Sequence, residues 1–229
     1  MYILLPPSEG KNDAPGVGSF ATQHPELYQD TLPVLRHLKR LKAAERPRFY
    51  GVSDATKAKP VHQMNLAAGE APVLPAVDRY SGVVYDHIGL DSIPDVKNAP
   101  SRLLVVSGLF GLIRGTDGLP KYKQPINPWL TRYWKPINSG RLDAIAQGEP
   151  VLDLLSQSYQ KAVDYPHRIV VDFRVDGGKK AAGHFGKAIK GRFVRFLLEN
   201  EITKPADFVK FTEEGYHFDG ENFIQRPPR

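Results

Sequence analysis

Short apolar runs separated by longer amphipathic ones set the outline of the chain. Tyr2–Leu5 is β-prone and is stopped by Pro6-Pro7, which predicts a buried strand feeding a loop. Residues 83–85 and Leu103–Ser107 read as further strands, the second entering the glycine-punctuated loop SGLFGLIRGTDGLP. Residues 151–155 and 169–175 extend the series, the latter running into the turn Asp176-Gly177-Gly178. Tyr216–Phe218 and residues 223–224 predict a closing hairpin. Residues 26–44 place leucines and Val34 among charged residues and end in RHLKRLKAAERPR, an amphipathic helix with one strongly positive face. Residues 52–68 read as two short helical pieces broken at Lys59-Pro60. Residues 185–199 form the last helix, with Phe185, Ile189, Phe193 and Phe196 on a stripe facing the core. No repeat or linker interrupts the pattern. The expectation is one α/β (mixed α+β) domain over residues 1–229, a mixed sheet surrounded by helices.

Composition narrows the chemistry. A chain of 229 residues can bury a full core without staples. It has no cysteine, which excludes disulfides, thiolate metal sites and cysteine nucleophiles, and leaves no thiol to oxidise. The opening MYILLPPSEGK is too short for a membrane helix and lacks a basic leader, so a cytoplasmic protein with no membrane partner is expected. The net charge of +6 and a pI near 9.4 favour phosphate polyanions at long range. The histidines are scattered without an H-E-x-x-H pair, so neither a metal nor another cofactor is expected.

Three segments carry candidate chemistry. Pro6-Pro7-Ser8-Glu9-Gly10-Lys11 leaves a strand, where a sheet holds ligand loops rigidly. Its Gly-Lys pair suggests an anion cradle, yet the nucleotide phosphate loop needs an earlier glycine and a following Ser or Thr. Lys11 is therefore either an anion ligand or a solvated turn residue. In the loop from Ser107 to Lys123, Arg114 has the fork geometry for phosphate or carboxylate and Asp117 the means to orient it. The alternative is an internal Arg114–Asp117 pair. No G-x-S-x-G elbow surrounds Ser107. In the basic helix, Lys187 falls near Val194 and Leu198, which predicts a partly desolvated amine in a pocket, or a snorkelling lysine. Lys190, Arg192 and Arg195 fall off the core stripe, where they would face DNA.

Several blocks occur in one order: LLPPSEGK, YSGVVYDHIGL, VVSGLFGLIRGTDGLPKYK, Tyr133-Trp134, VLDLLSQSYQKAV, HFGKAIKGRFVRFLLEN and EEGYHFDG. With them the chain resembles the YaaA peroxide-stress protein family over almost its whole length. The resemblance implies a sheet core wrapped by helices and a role in limiting damage from peroxide plus iron. It also implies binding of duplex and branched DNA through a positive cleft and a helix-hairpin-helix-like element. Positions matching the family's recurring polar residues are Lys11, Tyr85, Ser107, Arg114, Asp117, Tyr122, Ser156, Tyr159, Lys187 and Arg195, with Lys123 and Lys190 basic as the pattern requires. The hairpin should fall near residues 52–66, which hold no glycine. Lys57 and Lys59 remain there as phosphate contacts.

Two functions follow. One is DNA binding without base readout, through Lys57, Lys59, Lys190, Arg192 and Arg195, with Tyr122, Trp129, Tyr133 and Trp134 as rings for stacking on unpaired bases, although core packing is the stronger reading for Trp134. The other is an enzyme for a small phosphate- or carboxylate-bearing substrate. There Lys11, Arg114 and Lys123 hold the anion beside Tyr85, Ser107, Asp117, Tyr122 and Ser156, and Lys187 or Tyr159 acts as acid or base.

Overall fold

A computed structural model of the chain describes residues 1–93, 99–175, 178–181 and 183–225. Its centre is a five-stranded sheet of β1 (Tyr2–Leu5), β2 (Leu103–Ser107), β3 (Gly111–Arg114), β4 (Val151–Asp153) and β5 (Arg168–Val170), in the spatial order β3-β2-β1-β4-β5. All pairings are parallel except the β2–β3 hairpin. Strands buried on both faces read as continuous apolar runs, and LLVVS in β2 is buried throughout. Alternate residues serve two cores. Ile3, Leu5, Leu103 and Val105 belong to the larger, Leu4, Leu104 and Val106 to the smaller.

Helices cover both faces. The longer ones are α1 (Pro25–Arg40), α2 (Arg46–Tyr50), α3 (Ala55–Ala67), α4 (Val83–Ile88), α5 (Pro128–Ala146) and α6 (Gly183–Glu199). Leu142 and Ala146 of α5 close the smaller core. Helices α4 and α6 meet at Gly191, where a Cβ would lie 2.4 Å from the Val84 carbonyl oxygen. A small three-stranded sheet of β6 (Phe173–Arg174), β7 (Tyr216–Phe218) and β8 (Phe223–Gln225) joins the larger core through a cluster of phenylalanines. The mixed α/β expectation holds, as do β1, β2 and the closing hairpin. No helix among the described residues is long and apolar enough to cross a membrane.

Three expectations need correction. Residues 83–85 are not a strand but the start of α4, framed by Gly82 (φ 113°) and Gly89 in the left-handed region. Residues 52–68 are not two pieces. The helix α3 runs through Pro60, whose ring sits on the exposed side. The 169–175 run is split between two sheets, β5 and β6, by Val171-Asp172. The turn at Asp176-Gly177 lies outside the described residues.

One polar residue ties the loops together beneath this frame. Arg79 is 2% exposed. Its guanidinium donates to the carbonyls of Leu119 (3.1 Å), Asn12 (2.5 Å), Ala14 (3.3 Å) and Pro72 (3.4 Å). Carbonyls deprived of a buried donor each cost about 1–3 kcal/mol. Arg79→Met should therefore lower the unfolding free energy by about 3 kcal/mol or more in urea titrations. A loss below about 0.5 kcal/mol would show that solvent replaces the guanidinium.

Candidate functional site

Because β1 lies between β2 and β4, the chain passes to one side of it and then returns to the other. The carboxyl ends of these strands therefore diverge at a switch point, the usual place for a ligand crevice in such sheets. A cavity of about 740 Å³ opens there, lined by Pro6 and Pro7 after β1 and by Leu154 and Ser156 after β4. Lys11, Lys123, Lys187 and Lys190 line it with Tyr85, Tyr122 and Tyr159. The carboxylate of its lining is Glu9, which is exposed and lies 3.4 Å from Lys123 Nζ.

Each wall is fixed by backbone contacts. Lys11 pairs in a β-bridge with Tyr80, flanked by bonds from the Asn12 amide to the Arg79 carbonyl (2.8 Å) and from the Ser81 amide to the Gly10 carbonyl (3.1 Å). Its Nζ donates to the Ser8 carbonyl (2.9 Å) and lies 4.2 Å from the centre of the Tyr122 ring and 5.2 Å from that of Tyr80. Ser107, fully buried, accepts from the amides of Leu109 (3.2 Å) and Phe110 (3.0 Å) and donates to the Tyr122 hydroxyl (2.8 Å). Tyr122 in turn meets the Tyr80 hydroxyl at 2.6 Å. Ser107 thus does not open on the cavity but holds a tyrosine that does. Asn65 clamps the main chain of Lys123, accepting from its amide and donating to its carbonyl, both at 2.8 Å.

The remaining walls come from β4 and α6. The Tyr159 hydroxyl accepts from the Ile126 amide (3.1 Å), Tyr85 donates to the Pro6 carbonyl (2.9 Å), and Ser156 is exposed beside Ser158. Lys190 reaches back to the Leu154 carbonyl (3.0 Å), while Lys187 is exposed at the rim. Burial lowers the Lys190 pKa against the pull of Asp172 and Asp153. Burial also raises Tyr85, Tyr122 and Tyr159, keeping those phenols neutral. Lys11 is pushed down to about 8, by burial first, with Glu9 opposing and Lys123 and Arg79 assisting.

Not every expected residue joins this site. Arg114 pairs with Leu104 at the opposite end of β2, and Asp117 accepts from the Arg114 amide (2.8 Å) to close the turn after β3. They do not neighbour Lys187. The expected exposed basic flank of α6 is also not observed. Lys190 enters the cavity, Arg192 is paired with Glu213 (3.2 Å) and Glu214, and Arg195 is held by Ser92 Oγ (2.7 Å) and Glu199 (2.6 Å). The buried face of α6 is marked partly by glycines rather than by apolar side chains. Gly186 and Gly191 occupy buried positions, and Phe185, assigned to the core stripe, is 41% exposed. Lys57 and Lys59 lie exposed on α3. The α2–α3 turn does contain a glycine, Gly51 (φ 64°), just ahead of the 52–66 window. Trp129 stacks between His37 (3.9 Å) and Tyr133 (5.7 Å), whereas Trp134 is wholly buried. Tyr80, Arg79, Asn65 and Asp153 also shape or border the site without having been expected there from the sequence pattern. Asp153 is buried at the end of β4, its Oδ1 accepting from the Leu155 amide (2.7 Å) and its Oδ2 lying 3.5 Å from Arg168 Nε. Tyr80 opens the YSGVVYDHIGL block and Asp153 lies in VLDLLSQSYQKAV, whereas Arg79 and Asn65 fall in none of the blocks.

Over residues 1–222 the chain matches the family described as peroxide stress protein YaaA. A UPF0246 protein of Corynebacterium glutamicum (strain R) is 33% identical over 218 residues, which span 88% of this chain and 86% of the relative. A UPF0246 protein of Corynebacterium efficiens is 31% identical over 214 residues, spanning 86% and 84%.

The depressed Lys11 pKa has a signed consequence. Above about pH 8 the folded amine sheds its proton while the unfolded one keeps it to about 10.4, so folding stability attributable to Lys11 rises with pH across that window. The difference in unfolding free energy between the parent and Lys11→Met should shift in the parent's favour from about pH 7.5 to about pH 9.5. A difference independent of pH would show an ordinary, solvated ammonium.

Proposed function

The chain belongs to the YaaA peroxide-stress family, and on that footing we propose that it binds and chemically processes a small organic anion in the switch-point cavity. The observation that carries this reading is the convergence of Lys11, Lys123, Lys187 and Lys190, from three separate segments, on one recess whose lining carboxylate is the exposed Glu9. Bringing like charges together in a partly desolvated space is unfavourable unless an anion offsets it. The tyrosines and prolines between the lysines supply an apolar surface for the body of the ligand, as small-molecule sites require. Proton exchange with it falls to Tyr159 on the cavity wall and Lys187 at the rim. Inorganic pyrophosphate, as a probe, should bind in calorimetric titration, and Lys190→Met should weaken it about tenfold or more with the fold retained. No heat and no thermal shift at millimolar pyrophosphate would remove the reading.

A second reading is DNA binding without base readout, which would shield the chromosome from iron-dependent damage. It is favoured by one local feature, the turn Tyr50-Gly51-Val52 between α2 and α3, with Gly51 left-handed and Lys57 and Lys59 exposed on the following helix. The Gly51 and Val52 amides are taken by the Pro47 carbonyl, so phosphate contacts on this surface would come from the two lysines. Duplex affinity should fall steeply with salt, and the double variant Lys57→Glu, Lys59→Glu should weaken it and flatten the salt slope by about two. Unchanged affinity and slope in fluorescence anisotropy would exclude this surface.

A further inference from the structure

The cavity contains two amines largely withdrawn from water, Lys11 and Lys190, and their surroundings differ. Lys190 lies near two carboxylates, Asp172 and Asp153, and one lysine, Lys180. Lys11 lies near one carboxylate, Glu9, which is exposed and also engaged with Lys123. The cations Lys123 and Arg79 act on it in the opposite sense. Carboxylates hold an amine as ammonium, whereas burial and neighbouring cations favour the free base with its lone pair. The faces of Tyr80 and Tyr122 pull toward the cation, so both forms are populated around neutral and mildly alkaline pH.

Position completes the case. Lys11 is fixed by its bridge to Tyr80 and by the two flanking backbone bonds, so little ordering is needed for its side chain to meet a ligand. Lys123, on the opposite loop, has its main chain clamped by Asn65 and keeps its ammonium at the same cavity. A nucleophilic amine with a second cation nearby suits a substrate with a carbonyl and an anionic group on one small framework.

We propose that Lys11 forms a reversible imine with a small aldehyde or ketone bearing a phosphate or carboxylate, whose anionic group lies against Lys123. This rests on the cavity being an anion site. The Nζ lone pair attacks the carbonyl carbon, and the resulting carbinolamine loses the carbonyl oxygen with the two amine hydrogens as water, leaving C=N. Hydrolysis reverses the step, and no oxidant or reductant is consumed.

Pyridoxal 5′-phosphate is the probe, with pyridoxal as its phosphate-free counterpart and borohydride to reduce any imine to a stable amine. After digestion and mass spectrometry, the phosphate-bearing probe should mark Lys11 about tenfold more than any other lysine, and about tenfold faster than pyridoxal does. Lys123→Met should bring the two probes to the same rate. Lys11→Arg should abolish the mark at that position without moving it to Lys190. Labelling concentrated on Lys190, Lys123 or surface lysines, with Lys11 unmarked, would overturn the imine. If pyrophosphate still binds in that case, the imine alone fails; if it does not, the anion site fails as well.

Discussion

The wall of the cavity hangs on a guanidinium that never reaches it. Arg79 is buried and its hydrogen bonds go to main-chain carbonyls on three separated stretches, at residues 12 and 14, 72 and 119. Main-chain carbonyls are weak partners for a full charge, and burying that charge is costly, so the arrangement persists only because four of them converge. Lys11 precedes one anchored residue and Tyr80 follows Arg79 itself, which places an amine and a phenol one peptide from the clamp. The same charge makes the surroundings of Lys11 more positive. Structure and electrostatics at this wall are one feature.

The parts of the fold legible in the sequence were those decided by local pattern. The strands β1 and β2 and the hairpin of β7 and β8 are short apolar runs with clear stops, and all appear. Residues 83–85 misled because β-branched valines look the same in a strand and in a short buried helix, and only the packing of α4 on Gly191 decides between them. The glycines of α6 leave no side chain to mark a buried position, so the apolar pattern points Phe185 inward and Lys190 outward, the reverse of the fold. Within the site, Lys11, Tyr85, Tyr122, Lys123, Ser156, Tyr159 and Lys187 do line one space. Arg114 and Asp117 are close to the site along the chain, but an antiparallel hairpin carries them to the far end of β2. Arg79 and Asn65 carry no sequence signal, because their work is to satisfy main-chain groups brought together by tertiary structure.

Positive charge on this protein is divided between two different uses. Arg192 is consumed by Glu213 and Glu214, and Arg195 by Glu199 on its own helix and by the Gly89 carbonyl after α4. Of the cavity lysines, Lys11 and Lys190 donate to single carbonyls and Lys123 meets one exposed glutamate, with Asp172 and Asp153 acting on Lys190 at longer range. Arginine forks suit the first role and compact ammonium groups, which shift their pKa readily when buried, suit the second. A net charge of +6 therefore says less about partners than the identity and company of each cation.

The central place of β1 in the sheet also sets an order of events during synthesis. Its two neighbours are β2 and β4, which leave the ribosome roughly 100 and roughly 150 residues later. At typical elongation rates the strand waits on the order of ten seconds or more with both edges unpaired. The cavity waits longer still, because its last wall is α6. A cation-rich recess therefore does not exist on the nascent chain and comes into being only as folding closes.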